Sequence, residues 1–433
     1  MSGQAYHAAY AWVGGQVARD VLIEVAEGRI TAVTPGLPAA GERLPGLVLP
    51  GFANAHSHAF HRVLRGRTQS GRGSFWTWRE LMYAVAGRLD PDSYFALARA
   101  VYAEMALAGI TTVGEFHYLH HGPDGTPYAD PNAMGHALLA AAAEAGIRIT
   151  LLDTLYLTSS VDGQPLAGTQ RRFGDGDLDG WAGRVAGLAA APHARIGAAI
   201  HSVRAVPAHY FGGLTGRGPL HVHLSEQRAE NEQCRAVHGC TPTELLDRHG
   251  VLGPGTTAVH ATHLSDGDVK RLGSTGTGAC FCPTTERDLA DGIGRARDLV
   301  DAGAPLSLGS DSQAVIDMFE ELRGVEMDER LATRTRGRFT PAELVAAATR
   351  HTALGWDDAG SIAVGRRADL VCVRLDGVRT AGAGPQGAIY AATAADVTHV
   401  IADGRPVVAD GQHLSIDVPR DLDRTITALV AGT

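Results

Sequence analysis

The amino-acid sequence predicts a (β/α)8 barrel with a small β-sandwich domain built from both termini. Two observations point to this architecture. Short apolar segments alternate with helical patterns through the middle of the chain, whereas short apolar runs separated by turns occupy both ends. The length of 433 residues exceeds the roughly 100–200 residues of an ordinary domain and allows a barrel with an addition.

Both ends of the chain have the pattern of β-structure. Near the N-terminus, apolar runs flank the turn Glu27-Gly28-Arg29, and near the C-terminus similar runs flank Ala402-Asp403-Gly404. Neither end is long enough to bury a good core by itself. We therefore predict one composite β domain from residues 1–49 and 358–433, and a barrel from residues 50–357.

The central region contains eight candidate strands separated by helical patterns of ordinary length. The strands are predicted at residues 46–49, 111–115, 149–155, 196–200, 220–224, 257–259, 278–282 and 306–308. Helices are predicted at residues 92–108, 132–145, 181–190, 241–249, 266–272 and 296–302. This alternation is typical of a (β/α)8 barrel, here over roughly 300 residues compared with the usual ~250.

Charge and cysteine content exclude several classes of function. The chain has 38 basic and 47 acidic residues and a net charge of -9, which argues against nucleic acid or an anionic membrane surface as the main partner. Its five cysteines lack the spacing of a disulfide framework, and no uncharged apolar stretch has the length of a membrane span. We expect a soluble protein of the cytoplasm.

Metal-ligand residue types follow four of the predicted barrel strands. His56 and His58 lie two apart in an extended segment, so both imidazoles can face one ion. His223 ends strand five, His260 ends strand six and Asp311 follows strand eight. Each alone has an ordinary explanation, as a core histidine or a helix N-cap. Their coincidence at the carboxyl ends of strands, where barrels build active sites, predicts a metal centre.

Three of these histidines together with one carboxylate suit a single divalent ion. Zn2+ is preferred, and Fe2+ or Mn2+ is compatible with the same ligand types. Such an ion lowers the pKa of water and makes it a nucleophile near neutral pH. Asp311 can accept the proton, and His260 can hold the attacking oxygen by a hydrogen bond. Glu226, three residues after His223, can carry protons to a leaving nitrogen at the mouth of the barrel.

The single lysine excludes one kind of centre. Binuclear hydrolase barrels often bridge two metals through a carboxylated lysine at the end of strand four, but here that position is occupied by Ala199-Ile200-His201. Lys270 lies on a predicted helix after strand six. The His-x-Glu and Pro-Cys-x-x-Cys signature of the zinc nucleobase deaminases is also absent from the sequence.

Together these motifs resemble the amidohydrolase superfamily and, within it, the formimidoylglutamate deiminases. The superfamily features are Pro50-Gly51-Phe52 ahead of the His-x-His pair, the His-x-x-Glu motif after strand five and the terminal sheet segments. The narrower resemblance depends on residues 75–83 (FWTWRELMY), 115–121 (EFHYLHH), 201–206 (HSVRAV) and 282–286 (CPTTE). It covers nearly the whole chain.

The resemblance implies a specific site and activity. The implied metal ligands are His56, His58, His223 and Asp311. The implied acid/base and orienting residues are Glu226 and His260, and the implied substrate contacts are Arg79, Tyr118, His201 and Arg204. The implied reaction is hydrolysis of the C=N group of N-formimino-L-glutamate, giving N-formyl-L-glutamate and ammonia in histidine degradation.

The two arginines agree with a dicarboxylate substrate, because each guanidinium can bind one carboxylate through paired hydrogen bonds. An alternative is that Arg79 pairs with Glu80 on a helix surface. The chain departs from the family pattern three residues after the second histidine, where His61 stands in place of glutamine. A neutral imidazole still forms one hydrogen bond, so we also expect His61 to contact the substrate.

Two other functions remain open at this point. An aminohydrolase acting on a ring such as guanine would share the metal residues, and Arg79 and Arg204 distinguish the two substrate classes. A non-catalytic scaffold would be expected to have lost ligands, and this sequence has lost none. We further expect a homodimer. The loop over residues 75–83 either closes over the substrate or comes from the neighbouring subunit.

Overall fold

The computed structural model describes residues 3–69, 73 and 75–431. Within them sixteen strands form two eight-stranded sheets. The strands are β1 Gln4–Val13, β2 Gln16–Ala26, β3 Arg29–Thr34, β4 Glu42–Pro50, β5 Phe52–Ser57, β6 Ile110–His117, β7 Arg148–Leu155, β8 Ala194–Ile200, β9 Leu220–Leu224, β10 Thr256–His260, β11 Gly278–Phe281, β12 Leu306–Leu308, β13 Leu370–Val373, β14 Val397–Ala402, β15 Arg405–Ala409 and β16 Gln412–His413.

The helices are α1 Phe75–Ala86, α2 Pro91–Leu107, α3 Ala133–Ala145, α4 Leu178–Val185, α5 Arg228–His238, α6 Pro242–Arg248, α7 Asp266–Thr275, α8 Pro283–Asp288, α9 Ala296–Ala302, α10 Met318–Thr333, α11 Pro341–Ala348, α12 Gly384–Ala391 and α13 Val418–Val430. Each predicted helix overlaps an observed one, with ends that differ by up to five residues. None of the helices in the described residues is long and apolar enough to cross a membrane.

The barrel contains β5 to β12 in sequence order, and every neighbouring pair is parallel. The first and last strands meet through the backbone of Asp311, whose N–H donates to the His56 carbonyl at 3.0 Å and whose carbonyl accepts from the His58 N–H at 3.2 Å. Apolar side chains between the strands and the surrounding helices form the main core. The predicted (β/α)8 barrel is confirmed.

The two termini form one sheet, in the order β16-β15-β14-β13-β4-β1-β2-β3. β4 and β13 join the N-terminal and C-terminal strands by antiparallel pairing. Side chains from its own strands, including Tyr6, Ile23, Val48, Leu370 and Ile401, form a second hydrophobic core. The prediction that both termini contribute to one additional β-structure is therefore confirmed.

The prediction was wrong about the first barrel strand. Residues 46–49 belong to β4 of the terminal sheet, and the first barrel strand is β5. The chain passes between the two sheets at Gly51, where an added Cβ would lie only 2.4 Å from Thr111 Oγ1. Both strands are apolar, so hydrophobicity alone does not distinguish the two sheets.

Residues 75–83, predicted as a loop, form most of helix α1. Its buried residues Phe75, Trp78, Met82 and Ala86 are three or four positions apart, which is the spacing of one helix face. Additional apolar residues at other positions obscure this period in the sequence. The buried face of α1 packs onto the barrel of its own chain.

Candidate active site

The four predicted metal ligands meet at the carboxyl ends of the barrel strands, and all four are buried. The Asp311 Oδ1 atom lies 3.4 Å from His56 Nε2 and 3.5 Å from His58 Nε2. The Nε2 atoms of His56 and His223 are 3.1 Å apart. Three ring nitrogens and a carboxylate oxygen therefore face one small space.

This donor set fits a divalent metal ion. The carbonyl of Phe116 accepts a hydrogen bond from His58 Nδ1 at 2.9 Å, which leaves Nε2 free for the shared space. Burial holds the pKa values of His58 and His223 well below the usual range, so both rings are neutral, the form that binds metals. His56, His58 and His223 form one of the clusters that can hold an ion.

His260 and Glu226 lie beside these donors. His260 Nε2 is 3.8 Å from Asp311 Oδ2 and 3.9 Å from Glu226 Oε1, while its Nδ1 is 3.4 Å from Glu286 Oε1. Ser225, His260 and Asp311 all have left-handed backbone conformations, with φ of 51°, 68° and 42°. Non-glycine residues in this region cluster at functional sites.

Burial and neighbouring charges tune the acid/base groups. Burial raises the pKa of Glu226, although His260 and Arg204 act to lower it. Burial acts to lower the pKa of His260, but Glu226, Glu286 and Asp311 together raise it well above the usual range. Shifted pKa values in adjacent buried groups are typical of sites that move protons.

A cavity with about 510 Å3 of empty space, including the part open to solvent, leads to the metal donors. Its aromatic walls include Trp78, Tyr156 and Phe173. All five predicted substrate contacts line it, namely His61, Arg79, Tyr118, His201 and Arg204. Every predicted site residue except His56 therefore lines one cavity, and His56 lies beside Asp311 behind this lining.

Both arginines are held by their Nε atoms. Arg79 donates from Nε to the Tyr83 hydroxyl at 2.6 Å, and its guanidinium carbon lies 5.5 Å from the Trp76 ring centre. Arg79 thus faces the cavity and bonds Tyr83, and the described contacts include no ion pair between Arg79 and Glu80, so the alternative pairing on a helix surface was wrong. Arg204 donates from Nε to Glu230 Oε2 at 2.9 Å.

His61 faces the cavity beside Tyr118. Its Nε2 atom is 3.0 Å from the Tyr118 hydroxyl, and its ring centre lies 4.5 Å from that of His58. Burial lowers the pKa of His61 to about 3. The imidazole is therefore neutral and available for one hydrogen bond.

Sequence reasoning missed the carboxylates behind these residues. Glu286 accepts from the Cys282 N–H at 2.9 Å and faces His260. It belongs to the 282–286 motif, which was a usable signal. Glu230 lies in the first turn of helix α5, and no sequence motif marks it. Only the fold shows that it contacts Arg204.

A second cluster of His117, His120 and Asp153 lies apart from this cavity. Arg184 binds both Asp153 oxygens at 2.8 and 2.9 Å, and Trp181 Nε1 donates to one of them at 2.9 Å. A guanidinium already satisfies this carboxylate, so the cluster is a structural ion-pair network.

The chain matches the model of the amidohydrolase family over residues 47–407. It is 38% identical over 423 residues to formimidoylglutamate deiminase of Pseudomonas aeruginosa, covering 92% of each protein. It is 31% identical to 8-oxoguanine deaminase of the same organism, over 89% of this chain and 88% of that protein. The crystal structure of an amidohydrolase from Brucella melitensis superposes with a TM-score of 0.90 at 33% identity, covering 99% and 100% of the two chains.

The chain belongs to the amidohydrolase family. Its fold and its donor cluster define a hydrolytic enzyme of the amidohydrolase and deaminase type.

Proposed function

We propose that this enzyme hydrolyses N-formimino-L-glutamate to N-formyl-L-glutamate and ammonia, as a step of histidine degradation. The observation that carries the proposal is the presence of Arg79 and Arg204 in one cavity that leads to the metal donors. A guanidinium binds a carboxylate with both charge and hydrogen bonds, so two arginines suit a substrate with two carboxylates. The similarity to formimidoylglutamate deiminase supports the same substrate.

The proposed metal ligands are His56, His58, His223 and Asp311, and Zn2+ is the ion that such a nitrogen-rich set favours, with Fe2+ and Mn2+ as alternatives. When bound, the ion supplies the Lewis acidity that makes water a nucleophile at neutral pH.

The reaction adds water across the C=N bond. The water oxygen bonds to the formimino carbon, and the bond from that carbon to the terminal nitrogen breaks. Asp311 accepts a proton from the water, and His260, 3.8 Å from Asp311 Oδ2, holds the attacking oxygen by a hydrogen bond. Glu226, whose pKa burial raises, delivers a proton to the terminal nitrogen. The hydroxyl of the adduct then gives up its proton as the formyl C=O forms, so both protons of the water end on the nitrogen, which leaves as ammonia.

The remaining cavity residues orient the substrate. Arg79 and Arg204 have their Nε atoms occupied, so their terminal nitrogens are the donors for the two carboxylates. His61, Tyr118 and His201 line the same cavity as the arginines and the metal donors. We propose that these three hold the body of the substrate.

An ammonia-release screen tests the substrate. Metal-loaded enzyme is assayed with formiminoglutamate, a guanidino acid and guanine, and Arg204→Met is assayed beside it. We expect turnover of formiminoglutamate, and a loss of at least about 100-fold in kcat/KM for the variant, because a desolvated carboxylate loses its ionic partner. No ammonia from formiminoglutamate together with turnover of a neutral ring would overturn the proposal.

That outcome would favour deamination of a heterocycle, the second candidate, which the 31% identity to 8-oxoguanine deaminase supports.

Asp311→Asn tests the roles of the residues at the metal donors. The amide cannot accept the proton from water, so we expect a loss of about 1,000-fold or more in kcat. Asp410→Asn, at a residue whose side chain is 96% exposed, is the matched control. Near-normal activity of Asp311→Asn with a full metal content would contradict the proposed mechanism.

A further inference from the structure

Glu230 connects two parts of the cavity from behind. It lies in the first turn of α5 and is only 1% exposed. Its Oε1 atom accepts from the Ser225 N–H at 2.9 Å, and its Oε2 atom accepts from Arg204 Nε at 2.9 Å. It is not among the residues that line the cavity. One carboxylate thus binds both the N–H of Ser225, the residue before Glu226, and the guanidinium of Arg204.

We propose that Glu230 is a positioning residue that holds Arg204 away from Glu226 and directs it toward a substrate carboxylate. This inference rests on the proposed function, because it takes Arg204 as a substrate contact. It adds a residue that no sequence motif marks and that does not itself touch the substrate.

The distances around Arg204 show why such a residue is needed. The Arg204 Nη2 atom lies 3.8 Å from Glu226 Oε2, beyond hydrogen-bond distance. A flexible arginine in a buried site would move the remaining distance and pair with this carboxylate. A paired Arg204 would be lost to the substrate, and a paired Glu226 would be a poorer proton donor. The hydrogen bond to Glu230 opposes this movement of Arg204, because Glu230 Oε2 is a closer acceptor, at 2.9 Å from Arg204 Nε.

The contact between Glu230 and Ser225 positions the chain just before Glu226. Ser225 has a left-handed backbone with φ of 51°, which a serine adopts only when its surroundings hold it there. Glu230 Oε1 binds the N–H of this residue, and Glu226 is next in the chain. The same side chain therefore determines where both Arg204 and Glu226 lie.

Glu230→Gln separates positioning from general stability. The glutamine keeps an acceptor for the Ser225 N–H but presents an amide donor or a neutral oxygen to Arg204. Glu232→Gln is the matched control, since it removes the same charge from an exposed position on the same helix. Glu230→Asp retains the charge on a shorter side chain and serves as the conservative variant if Glu230→Gln does not fold.

For metal-loaded enzyme with formiminoglutamate, we expect Glu230→Gln to raise KM at least about tenfold while kcat stays within about threefold. Glu230→Asp should give a smaller increase, and Glu232→Gln should match the parent within about twofold. A merely structural role would lower the amount of active enzyme and kcat without this selective rise in KM. Unchanged KM in Glu230→Gln would overturn the inference while the proposed function stands.

The crystal structure of Glu230→Gln gives a readout that does not depend on the substrate. We expect the Arg204 guanidinium to move to hydrogen-bond distance, about 3 Å, from Glu226. If the parent enzyme releases no ammonia from formiminoglutamate, the proposed function fails, and this structure decides the positioning role. An Arg204 that keeps its position in the variant would overturn that role.

Discussion

The two arginines of the cavity differ in what holds them. Arg204 is bound by the Glu230 carboxylate, whereas Arg79 is bound by the neutral Tyr83 hydroxyl and by aromatic rings. Gln170 donates to the same hydroxyl at 3.1 Å and thereby fixes it. Among the residues that the structure describes, no carboxylate pairs with Arg79, and we expect a substrate carboxylate to do so.

Tyr83→Phe removes the acceptor of Arg79 Nε and keeps the ring. We expect KM for formiminoglutamate to rise roughly three- to tenfold with little change in kcat, because one hydrogen bond to a charged donor is lost. Steady-state kinetics give both constants. Tyr10→Phe is the control, because Arg19 on the terminal sheet donates from Nη2 to the Tyr10 hydroxyl and also contacts the Tyr10 ring. Equal constants for all three proteins would show that Tyr83 does not position Arg79.

At the scale of residues, the sequence predicts the metal donors well and their supports poorly. His56 and His58, or His223 and Glu226, stand close in the chain, so local spacing marks them. Gln170 is 87 residues from Tyr83, and Glu230 is 26 residues from Arg204. Such contacts depend on how the barrel brings distant loops together, and no local pattern records them.

Helix α1 is attached to the barrel by the buried guanidinium of Arg172. This side chain donates to the carbonyls of Ala86 and Leu89, at and just after the end of α1, and to that of His121 at 2.8 Å, after β6. Burial lowers the pKa of Arg172, and no carboxylate pairs with it among the described residues. Peptide carbonyls satisfy this cation, which ties the helix carrying Arg79 to the loop carrying Tyr118.

Arg172→Ala should loosen α1. We expect a loss of about 3 kcal/mol in the free energy of unfolding, because several hydrogen bonds to a buried charge disappear. Hydrogen exchange should also become faster in α1 than in the barrel strands. Arg171→Ala, at the exposed neighbouring residue, removes the same charge and should leave both measurements unchanged. Equal exchange in α1 for the two variants would contradict the attachment.

At the scale of elements, the alternation of strands and helices was predictable, and its two errors have physical causes. Residues 46–49 form an apolar strand in either sheet, so only tertiary pairing assigns them to β4. Helix α1 has apolar residues outside its buried face, such as the exposed Trp76 and Leu81, which hide the helical period. The periodicity of the sequence does not distinguish these exposed apolar residues from the buried ones.

The stability of the folded protein depends on several buried histidines that are neutral. Burial lowers the pKa values of His120, His221 and His351 to about 4. His351 lies where the barrel meets the terminal sheet, with Nε2 at 2.9 Å from the Gly51 carbonyl and Nδ1 at 3.0 Å from Thr112 Oγ1. Unfolding lets each ring titrate near 6.5, so the unfolded chain binds more protons between pH 6.5 and pH 4.

His351→Gln tests this linkage. The native pKa is below the unfolded pKa, so the contribution of His351 is fully present above pH 6.5 and is lost as the pH falls toward 4. We expect the variant to lose stability less steeply over this range, by up to about 1.4 kcal/mol per pH unit, in denaturant titrations from pH 7.5 to 4.5. His209→Gln, at an exposed position, should leave the slope unchanged. An unchanged slope in His351→Gln would contradict the assignment.

Asp311 also links the chemistry of the site to the integrity of the barrel. Its side chain faces the metal donors, while its backbone makes the hydrogen bonds to His56 and His58 that join the last strand to the first. A metal ion held by this carboxylate and the imidazoles would therefore also stabilise the contact between the first and last barrel strands. A chelator that removes the ion would then destabilise the barrel locally, at the contact between β5 and β12. After removal of the metal, amide exchange at His58 and Asp311 should accelerate before that at Leu151, inside the sheet on β7. Loss of the metal would thus separate the first strand from the last before the other strand pairs open.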